Sequence, residues 1–433
     1  MFTHLTKTRK LKVNIFCDYC PFSLKGGIEK ALISDIQHMK KKYDVHIFTT
    51  CTTPSCRDLL CRNSSSISFH IVNGNYETKL DVMIANVKFL FKILKASRDI
   101  CFQFVHFHSN RSGFPAFIAS KMLKSRLVAS VHFVWPFCVK GTLLKKSDLF
   151  CDFEYGSVLY LNIKHCINEC FKQANFFEKL YVLFSYFFGQ VLIRGANHII
   201  CSNKNARKRL LRLGINAHKI HLVYIPVNVE KAGEIEGKEF RLKLGFSEEK
   251  MVLYAGRICA EKGLENLISA IILLPECVKL VIAGKVDRTN EYFKRLCRLI
   301  KKGNLEKRVI FVGFLDKSDL SSAYAACDVF VYPTLCYEMF GTSAMEALMF
   351  RKPVVVSNFG GMASLLENNR AALVEPGNVL ELSKALSRCL FDSSYANEIA
   401  TNGLNFVNRL KRQAHWNRKV CLADIYENRK YIN

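Results

Sequence analysis

The chain has 433 residues, half of them hydrophobic, which is too long for one typical domain and apolar enough to fill two cores. Its formal charge of +26 raises the question of a nucleic-acid partner, but the basic residues are spread along the chain rather than gathered in a tail or one helix. We therefore favour a basic enzyme that acts on anionic substrates or lies on an anionic membrane.

The spacing of the cysteines and the length of the apolar runs further narrow the class of protein to which this chain can belong. The 18 cysteines are scattered, and the C-x-x-C of Cys17 and Cys20 has no second pair or nearby histidine to complete a zinc site. We interpret them as reduced thiols of a cytosolic protein, and the first residues do not read as a signal peptide. The apolar run 181–193 is shorter than the roughly 20 residues that cross a bilayer, so a buried helix is favoured over an interfacial one.

Strand-like and helix-like segments alternate in the first half. The predicted strands are residues 11–17, 45–49, 104–108, 127–133, 198–201 and 220–225. Predicted helices include 28–39, 81–96 and 115–123, the last with Pro115 in its first turn. This order predicts right-handed βαβ units around a parallel sheet, while residues 137–180 are interpreted as an insertion.

The alternation restarts after a polar, acidic stretch at 229–237, which predicts an interdomain linker. Six predicted strands follow, at 251–255, 280–283, 309–313, 329–332, 354–357 and 372–375. Two Rossmann-like halves are therefore expected. Neither G-x-x-x-x-G-K-[ST] nor G-x-G-x-x-G occurs, so P-loop hydrolysis and dinucleotide redox chemistry lack their usual marks.

The stretch 329–353, VFVYPTLCYEMFGTSAMEALMFRKP, predicts a buried strand, a loop and a helix that Thr342 or Ser343 is expected to cap. Glu338 lies in the loop, and Glu346 lies in the first turns of the helix. The loop therefore lies at the carboxyl end of a strand, where a doubly wound sheet binds its ligands. The N-terminus of the helix that follows favours anions. The alternative is one surface carboxylate and one solvated helix face.

Cations and glycines follow other predicted strands. Arg257 and Lys262 lie in GRICAEKG and suit a pyrophosphate, although two surface cations on a solvated turn are the alternative. Gly26 and Gly27 allow a phosphate to approach a helix N-terminus, or form a simple turn. Because carboxylates repel phosphates but accept hydrogen bonds from hydroxyls, the combined set points to a ligand with both groups, such as a nucleotide-sugar.

Three histidines follow or lie in predicted strands of the first half. His132 is expected to face a cleft between the domains, although a lone histidine there is more often structural than catalytic. His106 and His108 are interpreted as core histidines, because no carboxylate or third histidine completes a metal site.

The second half resembles the donor domain of the retaining family-four glycosyltransferases with the GT-B fold. The matching motifs, in the family's order, are Gly256-Arg257, Glu261-Lys262-Gly263, Ala283-Gly284, Val312-Gly313, 328–333, the E-x7-E of Glu338 and Glu346, Phe340-Gly341, Pro353, Gly360-Gly361 and Pro376-Gly377. The first half agrees more weakly, at Gly26-Gly27-Ile28-Glu29, 105–108 and Val131-His132. The resemblance implies an α/β GT-B fold, in which two Rossmann-like domains face a central cleft.

The resemblance also implies a division of the chain. Residues 1–227 would form the acceptor-side domain and 228–405 the nucleotide-sugar donor domain. Residues 406–433 would form a helical segment that packs back on the N-terminal domain. Arg257 and Lys262 would hold the donor diphosphate and stabilise it as the leaving group.

Further roles follow from the same resemblance. Glu338 would bind hydroxyls of the transferred sugar, and Glu346 would bind the ribose. Gly27, beside Gly26, would make room for the diphosphate, and His132 would touch the sugar near its anomeric centre. Backbone contacts with sugar and phosphate are implied for Phe340, Gly341, Thr342 and Ser343.

Three positions depart from the family's pattern. Arg351 replaces a glycine, which costs about 1 kcal/mol if the backbone there is left-handed. Ser364 replaces an acidic residue, and Pro226-Val227-Asn228 replaces Pro-Asn-Gly. The identity of the donor is therefore open.

The expected activity is retaining transfer of a hexosyl-type sugar in glycan, polysaccharide or glycolipid synthesis, without a cofactor or metal because the cations meet the phosphate charge. The expected partners are the donor and a glycan or lipid-linked acceptor, without nucleic acid. The basic, aromatic residues 87–96 suggest peripheral contact with an anionic membrane at its cytoplasmic face. Alternatives are a GT-B epimerase or hydrolase of nucleotide-sugars, and a non-catalytic basic module that binds membrane or nucleic acid.

Overall fold

The chain divides into two compact units in a computed structural model that describes residues 11–17, 27–50, 67–72, 79–98, 100–108, 110–132, 164, 168, 175–227, 229 and 232–427. Of the described residues, the first unit holds those up to Pro226 together with those from Ala414 onward. The second unit runs from Val227 to Gln413. The predicted domain boundaries follow residues 227 and 405. In the structure, the boundaries between the two units follow Pro226 and Gln413.

The first unit is built on a parallel sheet with the strand order β3-β2-β1-β4-β5-β6-β7. The strands are β1 Lys12–Cys17, β2 Asp44–Thr50, β3 Ser68–Val72, β4 Phe104–Phe107, β5 Arg126–Val131, β6 His198–Cys201 and β7 Ile220–Leu222. The α-helices are α1 Gly27–Met39, α2 Lys79–Ala96, α3 Asn110–Met122, α4 Phe176–Gly195 and α5 Lys204–Arg212. The six predicted strands are confirmed, with ends shifted by a few residues.

Two features of this unit differ from the predictions. The strand β3 is not among the predicted strands. It is an edge strand of mixed polarity in which only Val72 is buried, so the apolar alternation that identifies strands is weak. Pro115 does not lie in a first turn. The helix α3 begins at Asn110, and the proline lies inside it, where it cannot donate a backbone hydrogen bond.

The second unit is built on a parallel sheet with the strand order β10-β9-β8-β11-β12-β13. The strands are β8 Lys250–Ala255, β9 Val278–Ala283, β10 Val309–Gly313, β11 Val329–Tyr332, β12 Val354–Ser357 and β13 Ala372–Val374. The α-helices are α6 Glu234–Lys243, α7 Leu264–Ile272, α8 Glu291–Lys302, α9 Lys317–Ala326, α10 Thr342–Met349, α11 Gly360–Leu366, α12 Val379–Phe391 and α13 Ser393–Glu427. All six predicted strands are confirmed.

The predicted acidic linker is in part a helix. Glu234 and Glu236 lie in the first turn of α6, where carboxylates interact favourably with the helix dipole. The side chain of Glu236 accepts a hydrogen bond from the Gly233 backbone N–H at 2.8 Å. The acidic residues Glu234 and Glu236 of the predicted linker therefore belong to a helix start.

The last helix, α13, contributes its C-terminal end to the core of the first unit. Leu422, Ile425 and Tyr426 are buried in a cluster with residues of α1 and the first strands. The Tyr43 hydroxyl donates to Glu427 Oε1 at 2.9 Å, which adds a polar contact at the edge of this cluster.

Parallel strands place the carboxyl ends of β8, β9 and β11 at one edge of the second sheet, where their loops lie in direct contact. Gly256 N donates to Ala283 O at 2.9 Å, and a Cβ on Gly284 would overlap the carbonyl oxygen of Gly256. The described cysteines carry free thiols. Within the described ranges, no helix combines the length and apolarity needed to cross a membrane.

Candidate functional site

The loops after β8 and β11 are joined at the carboxyl edge of the second sheet. Gly263 has φ +71°, and a Cβ there would overlap the carbonyl oxygen of Pro333. The Glu261 carbonyl accepts hydrogen bonds from the Leu335 backbone N–H at 2.9 Å and from Thr334 Oγ1 at 3.1 Å. Glycine is therefore required at position 263, and the two loops are held as one body.

Lys262 crosses from the first loop to Glu338 in the second. Its side chain is 7% exposed, and Nζ donates to Glu338 Oε2 at 2.5 Å. The Tyr332 hydroxyl donates to the same oxygen at 3.4 Å, and Lys262 Nζ lies 5.1 Å from the centroid of the Tyr332 ring. The Glu338 side chain is 23% exposed, so one side of this charged cluster is open to solvent.

Charge and burial fix the protonation of this cluster. Burial by itself lowers the pKa of the Lys262 ammonium, but the Glu338 carboxylate raises it, and the pKa lies well above its ordinary value. Burial and the Glu338 charge together raise the pKa of the Tyr332 phenol. The lysine is therefore cationic and the phenol neutral near pH 7, and both donate to the carboxylate.

Arg257 lies in the same loop but in a different environment. Its side chain is 70% exposed and pairs with Glu261 across 3.5 Å. Its backbone is fixed instead, because the buried Tyr254 hydroxyl donates to the Arg257 carbonyl at 2.8 Å. The Tyr254 ring stacks on Tyr332 with centroids 6.0 Å apart, which connects this loop to the lysine and its carboxylate.

The backbone of Glu338 is held by the start of α11. Its carbonyl accepts hydrogen bonds from the N–H groups of Gly361 at 2.8 Å and Met362 at 3.1 Å. Gly360 has φ +90°, and a Cβ there would lie 2.8 Å from the Glu338 oxygen. The paired glycines of the family motif thus place the Glu338 backbone.

The helix α10 starts differently from the prediction. Neither Thr342 nor Ser343 is its N-cap; the cap is Gly341, with φ +68°, where a Cβ would overlap the Met362 side chain. A glycine cap has no side chain to accept hydrogen bonds from the first turn. The N–H groups of that turn therefore have no side-chain cap and are suited to an anion. The neighbouring Phe340 is buried.

Glu346 is not on a solvated helix face. Its residue is 3% exposed, and Oε2 accepts a hydrogen bond from the Tyr324 hydroxyl of α9 at 3.2 Å. Burial and the neighbouring carboxylate raise the pKa of the Tyr324 phenol well above its usual value. A neutral tyrosine therefore orients the carboxylate.

The predicted residues of the first unit lie at the ends of its strands and at a helix start. Gly27 is the first residue of α1, whereas Gly26 lies outside the described residues. His132 follows β5, and its Nε2 lies 3.0 Å from Nδ1 of His108, with the rings stacked. His106 and His108 are buried, as predicted.

The tyrosines of the site are not among the predicted site residues. Tyr254, Tyr324 and Tyr332 lie in or beside apolar segments and resemble core residues there, so composition does not distinguish them. The one available indication is position, because Tyr332 ends the strand that precedes the Glu338 loop. In the part of the chain that the structure describes, His, Cys, Asp and Glu side chains form no group of three that could hold a metal ion.

Two of the departures from the family's motif have visible consequences. Arg351 has φ +52°, so this non-glycine residue is left-handed, at a cost of about 1 kcal/mol. Ser364 Oγ donates to the Gly361 carbonyl at 2.8 Å and supports the turn that holds Glu338.

Two family models match the chain. The model described as Glycosyltransferase Family 4 matches residues 25–231, and the model described as Glycosyl transferases group 1 matches residues 237–406. Together they cover most of both units and include both sets of predicted site residues.

Several curated relatives are named glycosyltransferases, and others are named for the particular sugar that they transfer. An uncharacterized glycosyltransferase of Methanocaldococcus jannaschii is 35% identical over 38% of this chain and 42% of its own length. A second from that organism is 22% identical over 95% of this chain and 97% of its own length. The alpha-D-kanosaminyltransferase of Streptomyces kanamyceticus is 29% identical over 48% of this chain and 55% of its own length. The chain thus spans about half or less of the length of two of these relatives.

Solved structures show the fold. Anabaena HepE, in complex with UDP and glucose, matches with a TM-score of 0.73 and 19% identity over 97% of this chain and 100% of that chain. The sucrose-phosphate synthase of Thermosynechococcus elongatus matches with a TM-score of 0.74 and 19% identity, over 97% and 99%. These matches confirm the predicted α/β fold of the GT-B type.

Proposed function

We propose that this chain, which belongs to the glycosyltransferases with the GT-B fold, transfers a sugar from a nucleoside-diphosphate donor to an acceptor hydroxyl with retention of anomeric configuration. The observation that carries the proposal is the Lys262–Glu338 pair at the carboxyl edge of the second sheet. It combines a fixed cation with a partly exposed carboxylate, and Gly341, the N-cap of α10, lies three residues after Glu338. A ligand with both phosphates and hydroxyls matches these groups.

The cations would act on the leaving group. As the bond between the anomeric carbon and the phosphate oxygen breaks, its electron pair goes to the diphosphate. Lys262 holds its charge at a site where burial strengthens electrostatic interactions. Arg257 has an exposed guanidinium that can turn toward the diphosphate when the donor binds, while its backbone stays fixed by Tyr254.

The carboxylates would position the donor. Glu338 accepts hydrogen bonds from hydroxyls of the transferred sugar, and Glu346, oriented by Tyr324, accepts them from the ribose. The backbone from Phe340 to Ser343 would lie against sugar and phosphate. In the first unit, Gly26 and Gly27 would leave room for the diphosphate, and His132 would contact the sugar.

The acceptor step uses no protein nucleophile in this proposal. The acceptor oxygen forms its bond to the anomeric carbon on the face from which the diphosphate departs, and the acceptor's proton passes to the departing phosphate oxygen. Retention follows from attack on that face. A metal ion is not required, because the cations meet the phosphate charge.

The acceptor would be a glycan or a lipid-linked molecule, and the pathway would be glycan, polysaccharide or glycolipid synthesis. Names of relatives support a sugar donor more than any one acceptor: Anabaena HepE was solved with UDP-glucose, and one Streptomyces kanamyceticus relative is named 2-deoxystreptamine glucosyltransferase. The donor base, the sugar and the acceptor are separate choices within the proposal.

A screen of nucleoside diphosphates and nucleotide-sugars by thermal shift tests the donor side first. One of them should raise the melting temperature, since a ligand at 100 times its Kd stabilises by about 2.7 kcal/mol. The Lys262→Ala variant should lose this shift. With the donor known, acceptors are screened, and NMR of the product's anomeric proton reads the stereochemistry.

Each rival function predicts a different result. Consumption of the donor at full rate without any acceptor would indicate a hydrolase or epimerase. Binding of nucleic acid that falls steeply with salt, with no shift from any nucleotide, would indicate a basic binding module. An inverted product would contradict retention while leaving transfer intact.

A further inference from the structure

Three neighbouring helices of the first unit, α2, α3 and α4, carry exposed apolar residues on their outer sides. α3 packs against both α2 and α4. The contact with α4 is close, since a Cβ on Gly113 would lie 2.9 Å from Leu192 Cδ1. The helices therefore present a joint outer surface, which we call the aromatic face.

α4 supplies most of this surface. Its exposed apolar side chains are Phe176, Leu180, Leu183, Phe184, Phe187 and Phe188. Their spacing of three and four residues places them on one side of the helix, opposite the buried Tyr186 and Ile193. Among the described side chains of α4, the charged ones are Lys179 and Arg194, near its two ends. An apolar strip of this length is costly to leave in water.

α2 combines apolar and basic residues on its outer side. Val87 and Phe91 are 55% and 70% exposed and lie one turn apart. Lys88, Lys92 and Lys95 are also exposed. Their positions in the sequence place them on the part of the helix surface that adjoins Val87 and Phe91. The buried side of this helix carries Phe89 and Ile93.

α3 joins α4 at the surface. Phe114 of α3, itself 39% exposed, meets the Phe188 ring of α4 edge-on, with centroids 5.5 Å apart. Lys121 is exposed further along α3. The apolar strip of α4 therefore continues onto α3, with lysines on the neighbouring helices.

We propose that the aromatic face docks on the surface of a lipid bilayer that contains anionic lipids. Phenyl rings would enter the boundary between headgroups and acyl chains, and Lys88, Lys92 and Lys95 would lie among the anionic headgroups. This surface consists of residues of the first unit and the Lys262–Glu338 site of residues of the second unit, so the proposal does not depend on the proposed function. If both hold, the acceptor reaches the enzyme from the membrane.

Charge favours a bilayer over a second copy of the chain. The formal charge is +26, and a symmetric contact between two aromatic faces would bring the lysines of α2 toward those of another copy or bury them. An anionic bilayer neutralises these lysines. It also accepts the phenylalanines without needing a complementary shape.

Co-sedimentation of the full chain with vesicles tests the proposal. Phosphatidylcholine vesicles containing phosphatidylglycerol should bind the protein, and added salt should weaken the binding. The double variant Phe184→Ser/Phe187→Ser should bind about tenfold more weakly. Lys88→Ala/Lys92→Ala should lose about tenfold on the anionic vesicles and little on pure phosphatidylcholine.

The matched control lies on the second unit. Ile235 and Leu242 of α6 are each 72% exposed, so Ile235→Ser/Leu242→Ser removes as much exposed apolar surface elsewhere. This control should bind vesicles like the unchanged protein. All three variants should keep the circular dichroism spectrum and the thermal shift with nucleoside diphosphate, which separates loss of docking from loss of folding or of the donor site.

Several results would overturn the proposal. Absence of binding to the anionic vesicles is one, and binding that the phenylalanine and lysine pairs do not change is another. Sedimentation velocity showing a dimer that Phe184→Ser/Phe187→Ser dissociates would assign the face to a second copy. Marked unfolding of that variant would show that another part of the chain covers it.

Discussion

Lys262 and Glu338 neutralise each other before any donor arrives. The family resemblance implies separate partners for them, phosphate and sugar, whereas in the structure a partly buried hydrogen bond of 2.5 Å joins them. Under the proposed function, a diphosphate that binds without its sugar must compete with Glu338 for the lysine. A complete donor can instead offer hydroxyls to the carboxylate while its phosphates approach the ammonium.

Glu338→Gln tests this competition. The glutamine keeps the size of the side chain but removes the charge that holds Lys262, so affinity for the nucleoside diphosphate alone should rise about tenfold. Sugar transfer should fall by about 100-fold, because the sugar loses a charged acceptor. Calorimetric titration and steady-state kinetics measure the two effects. Unchanged diphosphate affinity would contradict the competition.

Tyr332 should act as a positioning residue for Glu338. Tyr332→Phe removes one hydrogen-bond donor at 3.4 Å and leaves the stack on Tyr254 in place. A neutral hydrogen bond contributes about 1 kcal/mol, so kcat/KM should fall about fivefold with a small change in unfolding free energy. A variant that melts several degrees lower with unchanged kinetics would show that the hydroxyl serves stability alone.

The presence of a helix or strand could be predicted better than the residue at which it begins or ends. Runs such as Val329–Tyr332 and Val354–Ser357 are short, apolar and bounded by turns, and the structure confirms them. The predicted start of α10 is wrong, because two good capping residues follow Gly341, whereas the left-handed backbone at Gly341 and the Met362 side chain packed beside it are not visible in the local sequence. Contacts between distant segments of the chain are not visible in local composition.

Gly360 illustrates such a contact and allows a controlled test. Gly360→Ala meets both a left-handed φ of +90° and the Glu338 backbone at 2.8 Å. Gly245→Ala meets a φ of +71° with nothing within 4 Å of the new Cβ. The control should lose about 1 kcal/mol of stability and keep its activity. Gly360→Ala should lose more stability, together with most of its transfer activity, because Glu338 is displaced.

Chemical denaturation and transfer assays on the two variants measure both effects. Equal losses of stability with full activity in each would show that the turn at Gly360 does not position Glu338. An activity loss in Gly245→Ala would instead indicate that strain alone, away from the site, affects transfer.

The two units differ in how much of their site the sequence reveals. The second unit carries dense motifs, so Arg257, Lys262, Glu338 and Glu346 could be chosen from spacing and resemblance. Tyr332 and Tyr324 could not, because a buried tyrosine beside a carboxylate looks like any core tyrosine until the fold brings the two together. The first unit carries few motifs, and its paired histidines emerge only from the pairing of strands.

These histidines predict that the two units respond differently to acid. None of the 12 histidines lies between residues 227 and 413. In the first unit, His46 Nδ1 lies 3.1 Å from His70 Nε2, and His198 Nδ1 lies 3.1 Å from His221 Nε2. Each pair therefore joins an edge strand to its neighbour. Burial lowers the pKa of His70, His198 and His221 to about 4.

A folded-state pKa below the ordinary 6.5 means that the unfolded chain binds more protons between pH 6.5 and 4. The stability that these histidines provide is therefore complete above pH 6.5 and is lost as the pH falls toward 4. Scanning calorimetry from pH 7 to 5 should show the transition of the first unit moving to lower temperature. The transition that nucleoside diphosphate raises, assigned to the second unit, should move less. His198→Gln/His221→Gln should flatten the response, and an equal shift of both transitions would refute this division because the second unit has no histidine to titrate.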